Sequence, residues 1–204
     1  FFTKSGFLNK IRVIIGRFIL RRADGIRVVS SRIKQSLKKL NLKVDPDIIP
    51  VYIDIKRFQE VQTSLGIDKE YLDFEKVILT VARLEEEKNF ELGIQVFKSI
   101  LETHPNTGYI IIGDGSLRNN LENLVKKEGL EKNIIFVGWQ NNLVAYYKSA
   151  DIYFSTSNYE GYGVSMIEAV LSLLPVVSTD VGVAGDILVN NINSLICPVG
   201  NKQC

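Results

Sequence analysis

The chain has 204 residues, 46% of them hydrophobic and 24% charged, with a formal net charge of +2, a composition that can bury a core and excludes an intrinsically disordered chain. No apolar run reaches the ~20 residues of a membrane-spanning helix, and the best N-terminal candidate, Ile11 to Leu20, is broken by Arg12 and Arg17. Two cysteines, Cys197 and Cys204, suggest neither a disulfide framework nor a metal cluster, so a reducing cytoplasm is the expected compartment.

In chain order, residues 1–44 come first and hold twelve Lys/Arg against one acid, Asp24, a net of +11, whereas residues 45–204 carry −9. Such a basic segment can be the solvated face of helices, or can lie on an anionic membrane at its cytoplasmic side. Nucleic acid is the weakest reading, because the segment has neither a glycine-aromatic RNA signature nor zinc-finger spacing. Within it, Leu8 to Arg22 has helical spacing, Gly25 to Ser30 ("GIRVVS") reads as a strand, and Ser31 to Leu40 reads as a helix capped by Ser30 or Ser31. Asp45 to Pro50, with two prolines and two acids, reads as a linker.

Beyond residue 50 short apolar runs alternate with amphipathic helices. The strands are Val77 to Ala82, Tyr109 to Ile112, Ile134 to Val137, Ile152 to Ser155, Val176 to Thr179 and Ser194 to Cys197. The helices are Asn89 to Glu102, Leu117 to Glu128, Leu143 to Ser149, one from Gly163 to about Leu173, and a short one near Gly185 to Asn190. Strands that are apolar throughout are buried on both faces, so the pattern predicts a doubly wound, Rossmann-like α/β domain with a parallel sheet. The division is residues 1–50 and 51–204. Residue 1 is Phe rather than Met, and the chain stops directly after a predicted strand, so a fragment of a longer protein is expected.

Ligands of doubly wound sheets sit beyond the carboxyl ends of the strands. Five loops should share that edge: Arg83 to Lys88, Gly113 to Ser116, Gly138 to Asn142, Thr156 to Val164 and Asp180 to Gly185. In "NYEGYGVSMIEAV" (158–170), Gly161 and Gly163 let the backbone approach a ligand as a helix begins, and its free N–H groups suit a phosphate. Glu160 and Glu168 could accept hydrogen bonds from vicinal hydroxyls. The plainer reading makes Ser165 to Glu168 a capping box and leaves Glu160 solvated. In "RLEEEK" (83–88), Arg83 and Lys88 offer a fork and a point charge for a diphosphate; the plainer reading is a surface loop of internal ion pairs. The lone His104 precedes Pro105 and receives no role.

Together "ILTVARLEEEKN" (78–89), "YIIIGDGSLRNNLENL" (109–124), "IIFVGW" (134–139), "SADIYFSTSNYEGYGVSMIEAVLSLLPVVST" (149–179) and "NSLICPVGN" (193–201) resemble the donor-binding, C-terminal half of GT-B fold retaining glycosyltransferases of family 4, the glycosyl transferases group 1 proteins. Glu160 and Glu168 match that family's pair of glutamates separated by seven residues. The resemblance implies that Arg83 and Lys88 hold the donor diphosphate, that Glu160 contacts the donor sugar and Glu168 the ribose, and that the turn Gly161, Tyr162, Gly163 and Val164 approaches the phosphates. It implies further that Gly113 lines the cleft and that Trp139 and Gln140 lie near the base. Residues 1–50 then correspond to a remnant of the N-terminal domain, whose missing part would bind the hydroxyl acceptor, and the donor is a nucleoside-diphosphate sugar used without a metal or other cofactor. Two departures stand out: Val181 to Asp186 lacks the usual glycine-glycine, proline and glutamate pattern, and Pro50 to Asp54 lacks the usual Asn-Gly turn. A nucleotide-sugar epimerase relative and a non-catalytic nucleotide-sugar-binding module are the alternatives.

Overall fold

The computed structural model describes residues 7–60 and 74–203; Lys4, in the basic segment, and Cys204 lie outside them. The chain divides into two compact units, Phe1–Tyr52 and Ile53–Cys204.

In the first unit, α1 (Phe7–Arg22) precedes β1 (Arg27–Val28), α2 (Ser31–Leu37) and β2 (Asp47–Ile48), and the two strands pair in parallel. Ser30 caps α2, its Oγ accepting from the Ile33 N–H at 3.3 Å. Two expectations are corrected here. The strand predicted over Gly25 to Ser30 is only two residues long, and the predicted linker Asp45 to Pro50 contains its partner. The Asp47 and Ile49 N–H groups donate to the Ile26 and Val28 carbonyls, while Arg27 donates to the carbonyls of Ile49 and Pro50. Pro46 and Pro50 bring no N–H of their own, which confines the ladder to the residues between them.

The second unit starts with α3 (Ile55–Glu60), followed by β3 (Lys76–Val81), α4 (Phe90–Leu101), β4 (Thr107–Ile112), α5 (Arg118–Lys127), β5 (Ile134–Gly138), α6 (Leu143–Ser149), β6 (Ile152–Ser155), α7 (Val164–Leu171), β7 (Val176–Thr179) and β8 (Ser194–Cys197). The six strands are parallel in the order β5-β4-β3-β6-β7-β8. Successive residues of a strand point to opposite faces, so this sheet has two cores. Val77, Leu79, Ile110 and Ile112 pack with Val144, Tyr147, Met166 and Ile167 of α6 and α7 on one side. Ile78, Tyr109 and Ile111 pack with Ile94, Phe97, Leu121 and Val125 of α4 and α5 on the other. Each of the large side chains buried there contributes roughly 1.5–3 kcal/mol by leaving water, which is why every residue of β4 is buried and apolar runs replace alternation.

The helix predicted near Gly185 to Asn190 is absent. Gly182 and Gly185 have positive φ, which interrupts a right-handed helix, and the segment instead makes isolated bridges from Ala184 to Leu188 and from Asn190 to Ser194. α7 also stops at Leu171, short of the expected Leu173, whose φ of 60° is left-handed.

Candidate functional site

The strand order turns outward in both directions from β3 and β6: β3 leads to β4 and β5, whereas β6 leads to β7 and β8. Loops leaving the carboxyl ends of those two neighbours therefore diverge and leave a crevice between them. The loop after β3 carries a 3-10 turn, Glu86–Lys88, and the loop after β6 carries Glu160.

These two loops are sewn together. The Asn158 N–H donates to the Glu87 carbonyl at 2.8 Å, Thr156 Oγ1 donates to the Asn89 carbonyl at 2.9 Å, and Asn89 Nδ2 donates to Asn158 Oδ1 at 3.1 Å. At their centre Lys88 Nζ meets Glu160 Oε1 at 2.5 Å, with side chains only 14% and 12% exposed. Ser157 Oγ donates to the same carboxylate oxygen at 3.0 Å, and the Ser157 carbonyl accepts from Thr179 Oγ1 at 2.6 Å. Glu160 is therefore not the solvated residue of the plainer reading. It is a partly buried carboxylate aimed by two donors.

Arg83 is placed differently. Its side chain is 69% exposed and pairs with Glu87 at 3.2 Å, the internal ion pair that the surface-loop reading anticipates, so the structure joins Lys88 but not Arg83 to Glu160. Glu85 ties the loop to its neighbour, accepting from Ser116 N–H at 3.1 Å and Ser116 Oγ at 2.9 Å.

Gly163, with φ of 92°, precedes α7, and no side chain caps that end. The capping box read from Ser165 to Glu168 is thus corrected. Ser165 lies inside the helix and accepts at Oγ from Tyr153 Oη at 2.8 Å, while Glu168 Oε2 accepts from Tyr147 Oη at 2.9 Å. Burial raises the Glu168 carboxyl above the ordinary glutamate range, with the Tyr147 hydrogen bond and the Arg57 charge pulling the other way. Val164 opens α7 half-exposed; its N–H and those that follow carry the helix's positive end toward the strand edge. Gly161 has open space around it, and Tyr162 packs its ring on the core.

Gly113 follows β4 with φ of 130°, and a Cβ there would lie 2.0 Å from the Ala82 carbonyl oxygen. Trp139 is 73% exposed after β5, and Gln140 Nε2 donates back to the Val137 carbonyl at 3.4 Å. The loop after β7, where the sequence departs from the resembled pattern, presses on the site through Gly182: its φ is 57°, and a Cβ would meet the Tyr162 carbonyl oxygen at 2.4 Å and Glu160 Cβ at 3.0 Å.

Sequence reasoning missed Ser157, Tyr147, Glu85 and Gly182. Ser157 was within reach, since it stands three residues before Glu160. Tyr147 and Glu168 lie 21 residues apart on different helices, so no local spacing links them. Among the described residues no three of His, Cys, Asp and Glu gather where they could hold a metal ion, and no helix is long and apolar enough to cross a membrane.

The profile of the family described as "Glycosyl transferases group 1" matches residues 67–203. An uncharacterized glycosyltransferase of Methanocaldococcus jannaschii is 31% identical over 182 residues, covering 87% of this chain and 45% of its own length. The alpha-monoglucosyldiacylglycerol synthase of Streptococcus pneumoniae is 27% identical, covering 79% of this chain and 38% of its own. This chain thus spans less than half the length of both. In the solved structure of Anabaena HepE in complex with UDP and glucose, the same fold recurs with a TM-score of 0.82 at 20% identity, covering 98% of this chain and 55% of that one. The Rossmann-like parallel sheet is therefore that of the C-terminal domain of GT-B glycosyltransferases.

Proposed function

The chain belongs to the glycosyl transferases group 1 family, and on that basis we propose that it forms the donor-binding half of a retaining, family 4 glycosyltransferase. Such an enzyme moves a sugar from a nucleoside diphosphate to a hydroxyl of a glycan, polysaccharide or lipid-linked acceptor. The observation that carries the reading is the meeting of Lys88 and Glu160 between the loops of β3 and β6. A nucleoside-diphosphate sugar presents hydroxyls that a carboxylate can accept from, next to phosphates that a cation can balance. The relatives are named as transferases and synthases, which disfavours the epimerase and non-catalytic alternatives.

In this reading the donor diphosphate lies at the amino end of α7, against the Gly163 and Val164 amides, with Lys88 beside it and Arg83 swinging from Glu87 to join. Glu160, held by Lys88 and Ser157, receives the sugar hydroxyls, and Glu168 receives the ribose hydroxyls. Gly113 lines the cleft wall, and the exposed Trp139 ring and Gln140 attend the base. As the anomeric carbon loses the diphosphate it gains oxocarbenium character, and the developing charge on the leaving oxygen is met by a cation and amides already in place. We propose that this chemistry uses no divalent metal or other cofactor. The acceptor would be bound by the part of the protein that this chain does not span.

Calorimetric titration of the protein with UDP-, GDP- and ADP-sugars is the direct test. One of them should bind to this chain with little transfer, and in the full-length enzyme the transferred sugar should keep its anomeric configuration by NMR; indifferent heats for all three would remove the donor-site reading.

A second proposal concerns location, at the cytoplasmic face of a membrane. α1 exposes Ile11, Ile14, Ile15, Phe18 and Ile19, spacings that place them along one stripe, and it carries Lys10, Arg12, Arg17, Arg21 and Arg22 with no acid. Apolar stripe plus cations is the combination that binds an anionic interface. Co-sedimentation with vesicles should rise with their anionic lipid content and fall for Ile14→Ser/Phe18→Ser. Binding indifferent to anionic lipid would assign the stripe to packing against protein instead.

A further inference from the structure

Tyr147 is wholly buried, and its one polar side-chain atom does one thing: it donates to Glu168 Oε2 at 2.9 Å. The ring itself is fixed by Phe58, with centroids 6.4 Å apart, and by Tyr153, 6.0 Å apart, so the hydroxyl has little freedom to point elsewhere. Burial, with Tyr153 and Glu168 adding to it, pushes the phenol well above its ordinary range, and Tyr147 remains a donor at any working pH. Glu168 in turn is half-buried on α7, where a carboxylate without a partner is costly.

We propose that Tyr147 is a positioning residue for donor binding, holding the Glu168 carboxylate in one orientation so that its remaining acceptor sites face the vicinal hydroxyls of the nucleotide. The inference rests on the assignment of Glu168 to the ribose made above. An ionised carboxylate offers about four lone-pair directions, and the phenol takes one of them. A glutamate on a helix surface would otherwise sample several rotamers, and ordering it on binding would weaken the complex. Here the order is built in, because the group that fixes the carboxylate belongs to the α6–α7 core rather than to the ligand.

The variants are Tyr147→Phe, which fills the same buried volume without the hydroxyl, and Glu168→Ala. Each is titrated with UDP, GDP and ADP, with the 2′-deoxy form of whichever binds best, and with inorganic pyrophosphate. Glu168→Ala should weaken the best nucleotide more than tenfold. Tyr147→Phe should weaken it about tenfold, the scale of one lost hydrogen bond to a charged group, and should leave pyrophosphate unchanged. The preference for the ribose over the deoxyribose form should shrink in Tyr147→Phe, an effect that loosened packing would not produce. If Glu168→Ala binds the nucleotide normally, the ribose assignment itself falls. A nucleotide response only in Glu168→Ala, with Tyr147→Phe like the parent, overturns the positioning role alone; equal losses for nucleotide and pyrophosphate make Tyr147 merely structural and overturn it as well. Should Tyr147→Phe fail to fold, Tyr147→Met, which also fills the buried site without a hydroxyl, replaces it and is read against the same outcomes.

Discussion

Replacing Lys88 with alanine in the full-length enzyme is expected to lower turnover about 10²–10³-fold, the loss seen when one preorganised donor to a developing negative charge is removed. The effect should exceed that of Arg83→Ala, because Arg83 is largely exposed and already engaged by Glu87, whereas Lys88 is already enclosed in the crevice. Steady-state kinetics on the two variants checks the order: equal losses, or a larger loss for Arg83→Ala, would reverse the proposed division of labour. The same substitution has a structural cost. Lys88→Ala leaves the Glu160 carboxylate, 12% exposed, with Ser157 Oγ as the donor seen in the structure. Removing one partner of an enclosed ion pair costs roughly 3 kcal/mol, but removing both costs much less. Urea unfolding should therefore show Lys88→Ala/Glu160→Ala to be more stable than Lys88→Ala, although the double variant turns over no faster than the single one.

Gly113→Ala is expected to cost about 3 kcal/mol or more, combining a strained backbone with an overpacked contact. The added carbon would lie 2.0 Å from the Ala82 carbonyl oxygen and 2.9 Å from its carbon, both main-chain atoms that have no rotamer to escape into. At a φ of 130° no side chain is comfortable. The Gly113 N–H also donates to the Gly138 carbonyl at 2.9 Å, tying the chain after β4 to the end of β5, directly beside the Ile112 carbonyl that accepts from the Ala82 N–H at 3.0 Å after β3. For a domain of this size the melting midpoint should fall by about 6–12 °C, and donor affinity should fall with it, since Ala82 leads directly into the Lys88 loop. A melting midpoint within a degree or two of the parent would show that the ends of the strands yield more easily than their hydrogen bonds suggest.

Much of the fold could be read from the sequence, with particular exceptions. β6, β7, β8 and α6 have the bounds that their apolar runs predict, because Asp151, Pro175 and Asn193 stand just before the three strands and Asp180 and Pro198 just after β7 and β8, where a turn residue ends each short run. Gly185 to Asn190 was misread because apolar residues at helical spacing also occur in a tight turn that buries Leu188 and Val183, and the left-handed Gly182 and Gly185 decide between the two. The two-residue strands β1 and β2 carry too few residues for any periodicity.

At the site, the identities of Lys88, Glu160 and Glu168 came from loop position and from the resemblance, and their spacing along the chain was visible at once. Whether Glu168 capped its own helix was not, because the local pattern fits a capping box; in the fold no side chain caps α7, and Glu168 instead accepts from Tyr147 of another helix. Likewise no spacing joins Lys88 to Glu160 across 72 residues. Periodicity records which face of an element turns inward, a local property that the chain carries in every residue. Which strand lies beside which depends on the crossovers of the whole sheet, and only when β6 takes its place next to β3 do a cation from one loop and a carboxylate from the other come within a hydrogen bond.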